Sequence, residues 1–126
     1  ALVAAGGEIV IPHAGEPSHA RPDLLLLLYP YQVQDPTTKQ IRSDVDPDSG
    51  LPPTFIAQAA DDSSCPPEGS LLLLSELVKR KIPAELHIYA HGGHGGAIKH
   101  RDGIPFGTWH IRFQDWLADL GMLKQP

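Results

Sequence analysis

The sequence is short of several things, and each shortage excludes a class of protein. It holds a single cysteine, Cys65. That rules out a disulfide scaffold and any zinc site built from several thiolates. No apolar run approaches the roughly 20 residues of a membrane-spanning helix. The longest, Leu24 to Leu28, has the length of a buried strand. Charge is sparse: charged residues make up 20% and the net charge is −5. The bases Arg42, Lys79, Arg80, Lys81, Lys99, Arg101 and Arg112 are scattered or gathered at a helix end. Phosphate binding needs a basic stripe, so nucleic acid is not expected as a partner. The N-terminal stretch "ALVAAGGEIVIP" has no methionine and no charged leader. It reads as a mature end or as the cut end of something longer, and the compartment stays open.

What is present is a globular composition, with 41% hydrophobic residues in 126, enough for one small domain. Thirteen prolines and twelve glycines punctuate it. Three apolar runs read as strands: Asp23 to Pro30, Thr54 to Ala59 and Ala84 to Ala90. The first two are nearly continuous in hydrophobicity, as in strands of a parallel sheet covered on both faces. The third alternates, with Leu86 and Ile88 opposite His87 and Tyr89, and is expected near an edge.

Two helices are expected. The first covers about Pro67 to Lys81, with Ser64 as a candidate N-cap and Pro66 or Pro67 in the first turn. Leu71, Leu74, Leu77 and Val78 define its apolar face, widened by Leu72 and Leu73. The second covers about Thr108 to Leu120, with Trp109, Phe113, Trp116, Leu117 and Leu120 at helical spacing and Gly121 as the stop. "ALVAAGG" reads as the end of a helix closed by glycine. Residues 31–53 are polar and proline-rich and read as a lid-like or excursion loop, since loops of that length are often functional. Strands alternating with helices define an α/β fold with a parallel sheet, and Thr54 to Tyr89 is one βαβ unit.

In such sheets, chemistry collects just past the carboxyl ends of the strands. Asp61 and Asp62 follow the second strand run. "HGGHGG", His91 to Gly96, follows the third. An acid and a histidine leaving neighbouring strands should meet across one crevice. An aspartate that accepts a hydrogen bond from imidazole fixes its tautomer, which is the orienting half of a nucleophile–His–acid triad. Plainer readings stand beside this one: turn and capping chemistry for the aspartates, and an ordinary loop histidine. A metal pair at His91 and His94, helped by Asp61, Asp62, His87 or His100, is a further alternative. Zinc wants three or four protein ligands, and a glycine spacer holds histidines loosely, so no metal and no cofactor is expected.

The segment "PPTFIAQAADDSSCPPEGSLLLLSELVKRKIPAELHIYAHGGHGGAI" resembles the C-terminal part of an α/β-hydrolase. It is most similar to the serine esterase branch that includes acetyl-xylan and feruloyl esterase-like enzymes. "RPDLLLLLYPYQV" and "TWHIRFQDWLADLGML" extend the likeness over most of the chain. In that family the acid sits in a pattern like A-D-D-P-x-x-P-x-E-N-S, and Ala60 to Ser70 follow it from both ends, with Ser63 and Gly69 in place of its Pro and Asn. The resemblance therefore implies Asp62 as the catalytic acid. The family's G-G-H-G falls on Gly92 to Gly95 and implies His94 as the general base, with His91 a neighbour. "HGG" at His91 also resembles an oxyanion loop, but no nucleophile elbow lies downstream of it.

The resemblance also exposes a gap. The family's nucleophile is a serine in G-x-S-x-G, and that motif is absent from these residues. Ser18, Ser43, Ser49, Ser63 and Ser64 all lack its context. The family pattern makes "ALVAAGG" the helix that starts at the nucleophile, which places the serine before Ala1. Residues 1–126 are then expected to be one partial α/β-hydrolase domain of about three strands. Its open sheet edge would be covered by a missing N-terminal half or by a second copy. The implied function is carboxylic ester hydrolysis of small or carbohydrate-linked esters. A prolyl-oligopeptidase-like peptidase and a non-catalytic, truncated hydrolase-like module are the alternatives.

Overall fold

The computed structural model describes residues 2–5, 22–97 and 103–123. Among the described residues, four strands form one sheet: β1 (Leu2–Ala5), β2 (Leu24–Leu28), β3 (Thr54–Ala59) and β4 (Ala84–Tyr89). Their spatial order is β1-β2-β3-β4 and every pairing is parallel. Helix α1 (Glu68–Lys79) connects β3 to β4, and α2 (Trp109–Asp119) follows β4. The α/β fold is as expected, and all six β3 residues are buried, as its unbroken hydrophobicity implied.

Period-2 alternation splits the core into two layers. Leu24, Leu26, Phe55, Ala57 and Ala59 share a layer with buried Phe106, from the 3-10 turn Pro105–Thr108, and buried Trp116 of α2, and Trp109, Phe113, Leu117 and Leu120 pack against it. Leu27 and Ile56 face α1 and meet Leu73 and Leu77. Each such large side chain, fully buried, contributes about 1.5–3 kcal/mol. The 31–53 segment carries Val33, Val45 and Leu51 into the α1 layer. An isolated antiparallel bridge, Gln34 to Ile41, and a 3-10 turn, Pro47–Ser49, give it regular structure.

Three sequence expectations need correction. "LVAA" is a strand, not a helix end, and adds a fourth strand to the three expected. An apolar run of that length carries no usable period, and pairing with β2 decides it. The second correction concerns α1. Its buried residues are Gly69, Ser70, Leu73 and Leu77, while Leu71 and Val78 are exposed. The leucine run is apolar almost all round, so periodicity could not fix the rotation. Gly69 helps fix it: a Cβ there would stand 2.9 Å from the Val33 Cβ, so only glycine lets the helix seat against that segment. Nor does Ser64 cap α1. Pro67 occupies the N-cap, with no side-chain cap bond.

Candidate active site

The segments that follow β2, β3 and β4 bring one residue each into contact. Tyr29 follows β2, Asp62 lies in the turn after β3, and His94 lies in the glycine loop after β4. The His94 ring lies 4.9 Å from the Tyr29 ring, edge to face, and His94 Nδ1 stands 3.0 Å from Asp62 Oδ2. Asp62 is closed from solvent, whereas the His94 side chain is 49% exposed. A buried carboxylate thus holds the Nδ1 edge of an imidazole whose ring remains accessible.

Asp62 is held by its own turn. Its Oδ1 accepts the backbone N–H groups of Ser64 at 2.9 Å and Cys65 at 2.8 Å. These two bonds occupy one oxygen and leave Oδ2 for the histidine. Cys65 is buried, and burial, with the Asp62 charge adding, pushes its thiol above the usual range. A raised thiol is a poor nucleophile, which fits a packed side chain. Burial likewise pushes the Tyr29 phenol up, helped by Cys65 and Asp62.

The glycines of the histidine loop have separate jobs. Gly92, Gly93 and Gly95 have φ of 149°, 60° and 76°, a region that L side chains rarely adopt. A Cβ on Gly92 would come within 2.6 Å of the Phe106 ring. At the far end, the Trp109 indole N–H donates to the Ala97 carbonyl at 2.9 Å and ties the loop to α2. Asp61 ties it to the acid turn: Gly93 N–H donates to Oδ1 at 2.8 Å and Gly92 N–H to Oδ2 at 3.4 Å.

The Gly93 amide is the chief cause that holds the Asp61 carboxyl below its ordinary range, followed by that of Gly92. The native pKa is depressed, so this link is fully present above the ordinary carboxylate value, about 3.9, and is lost as pH falls through the native one. The Gly93 amide proton is therefore expected to titrate at a pH below about 4, and in Asp61→Asn that step should vanish. A flat Gly93 shift in the unaltered protein would remove Asp61 from this role.

Sequence reasoning brought Asp62 and His94 together, and the structure does the same. It separates His91, which is largely exposed and lies 3.7 Å from Asp61. His87 sits elsewhere, 2.5 Å from Glu85 and stacked on Phe55. His100 lies outside the described residues. Among the described residues first weighed as metal ligands, Asp62 and His94 fall in one three-residue cluster, whereas His91 pairs with Asp61. Cys65 is the third member of that cluster, with ligand atoms mutually within 4.8 Å. Tyr29 and Phe106 were missed, although Tyr29 directly follows a strand's carboxyl end and could have been found by that rule.

A parallel sheet with the acid and histidine on successive strand ends is the arrangement of an α/β-hydrolase. The prolyl oligopeptidase family (Peptidase_S9) matches residues 30–120, and the chain belongs to that family of serine hydrolases. No curated protein matches it at a significant level. Among solved structures it is similar to an acetyl ester-xyloside bifunctional hydrolase from Caldicellulosiruptor lactoaceticus, at 30% identity and a TM-score of 0.63, covering 82% of this chain and 44% of that one. A sugar hydrolase from Lactococcus lactis is similar at 25% identity and a TM-score of 0.59, covering 79% of this chain and 49% of that one. A carboxylesterase from Lactobacillus plantarum WCFS1 shares the fold at 21% identity and a TM-score of 0.65, covering 86% of this chain and 48% of that one. The chain thus spans about half the length of these structures. Among the described residues, no helix is long and apolar enough to cross a membrane.

Proposed function

We propose that this chain supplies the base and the orienting acid of a serine ester hydrolase acting on small or carbohydrate-linked esters. The observation that carries the reading is the 3.0 Å approach of His94 Nδ1 to the buried Asp62 carboxylate. Held this way, His94 keeps its proton on Nδ1 and presents a free Nε2 lone pair. A serine contributed by a segment outside these 126 residues gives its hydroxyl proton to Nε2 as its oxygen attacks the ester carbonyl carbon. The imidazolium that forms is stabilised by Asp62. The proton then passes from Nε2 to the departing alcohol, leaving an acyl-enzyme. Water repeats the cycle and releases the acid. Residues 1–126 act in this reading as one partial hydrolase domain, with 31–53 as an excursion packed over the α1 face.

Carbohydrate-linked esters are favoured because the 30%-identical structure is an acetyl ester-xyloside hydrolase. Amide hydrolysis is the second reading, favoured by the prolyl oligopeptidase family match. The protein expressed from its complete reading frame should hydrolyse p-nitrophenyl acetate with a kcat/KM at least about 100-fold above that for glycyl-prolyl p-nitroanilide. The reverse preference would replace the esterase reading with a peptidase.

A further inference from the structure

A side chain beneath the acid turn bears on the geometry above it. Gln58, on β3, is fully buried, as is Ser70 in the first turn of α1. An apolar residue is the default between a sheet and a helix. Here the Ser70 hydroxyl donates to Gln58 Oε1 at 2.5 Å, and Gln58 Nε2 donates to the Cys65 carbonyl. The Cys65 carbonyl can only accept, so the NH₂ group faces the turn and Oε1 is left to the Ser70 hydroxyl. Cys65 is also the residue whose N–H donates to Asp62 Oδ1 at 2.8 Å. One line of hydrogen bonds therefore runs from α1, through Gln58 and the Cys65 backbone, to Asp62 and on to His94.

We propose that Gln58 is a positioning residue for Asp62, with Ser70 orienting it. A carboxylate can rotate about its last side-chain bond. It is locked here because Ser64 and Cys65 hold Oδ1, and their N–H groups point correctly only while the turn keeps its shape. Gln58 clamps that turn from below. Without it, the Cys65 carbonyl loses its buried donor and the peptide is free to rotate toward water. The role rests on the reading of Asp62 and His94 as a catalytic pair, but the clamp itself is a matter of geometry and is measured without catalysis.

The test compares Gln58→Leu and Ser70→Ala with the unaltered protein. Two quantities are read: amide hydrogen exchange at Ser64 and Cys65, and the tautomer of neutral His94 from long-range proton–nitrogen spectra. In Gln58→Leu both amides should exchange about tenfold faster or more, while amides of the β3–β4 ladder keep their protection. His94 should lose its preference for the Nδ1–H form. Ser70→Ala should move both readings the same way by less, and it carries the test alone if the leucine variant does not fold. Unchanged tautomer and amides in a folded variant would overturn the proposal. Uniform loss of protection across the sheet would also overturn it, because that marks Gln58 as general packing. Neither result touches the hydrolase reading, which falls instead if ester hydrolysis is missing while these spectra behave as expected.

Discussion

His94→Ala is expected to lower kcat for ester hydrolysis by about 10²–10⁴-fold, the usual contribution of a positioned base. KM should move little, because the imidazole acts on the nucleophile's proton and not on substrate binding. The cost to stability has two parts, the lost ring contacts and the buried Asp62 carboxylate left without its partner. The ring is half exposed and its partners are one carboxylate edge and the Tyr29 ring. Removing it should shift unfolding by less than about 1 kcal/mol apart from the unpaired carboxylate it leaves. His91→Ala is the matched control. That histidine sits in the same loop but is 83% exposed and stands 3.7 Å from Asp61, so its loss should leave the rate close to that of the unaltered protein. Steady-state kinetics on the protein from its complete reading frame read both. A rate that survives His94→Ala and collapses in His91→Ala would reverse the assignment.

The second large effect is expected at Gly96, which lacks an unusual φ and is constrained by space alone. A Cβ there would lie 2.4 Å from the Gly92 carbonyl oxygen and 2.9 Å from the Phe106 ring. The nearest obstacle is backbone of the same loop, so the loop itself must move. Gly96→Ala should cost about 1–3 kcal/mol, the range for overpacking. It should also cost about 100-fold in kcat/KM, since an ångström of displacement at a reacting group has that effect. Gly93→Ala separates sterics from strain. Its Cβ meets nothing within 4 Å, but its φ is 60°. It should lose about 1–2 kcal/mol of stability, the left-handed penalty for an L residue, with a smaller loss of rate. Thermal unfolding and kinetics on the pair distinguish the two costs. Equal kinetic losses would mean that the position of His94 is not set by the Gly92–Gly96 contact.

Much of this was legible in the residues. The strands Leu24–Leu28 and Thr54–Ala59 announce themselves because burial on both faces forces unbroken hydrophobicity. Strand ends sharing an edge in a parallel sheet pointed to an aspartate of the Asp61–Asp62 pair and a histidine of the His91–Gly96 loop, and the family resemblance singled out Asp62 and His94. Other features depend on quantities that no local pattern encodes. The strand Leu2–Ala5 exists by virtue of its partner β2. The rotation of α1 turns on a contact between Gly69 and Val33, 36 positions apart. Gln58 is a polar residue in an apolar strand, and its partners, the Cys65 carbonyl and Ser70 on the facing helix, are set by the tertiary fold. Asp61 and Asp62 are adjacent and alike in sequence, yet they divide the labour. One bonds the amides of the histidine loop and the other bonds the histidine ring.

Proton transfer to His94 in the proposed reaction requires Asp62 to fix the ring's proton on Nδ1. Long-range proton–nitrogen spectra of the neutral ring measure this directly, in the unaltered protein and in Asp62→Ala. The Nδ1–H form is expected to dominate in the first and to give way to Nε2–H in the second. A dominant Nε2–H form in the unaltered protein would contradict the account, because the nitrogen meant to accept the nucleophile's proton would already be occupied.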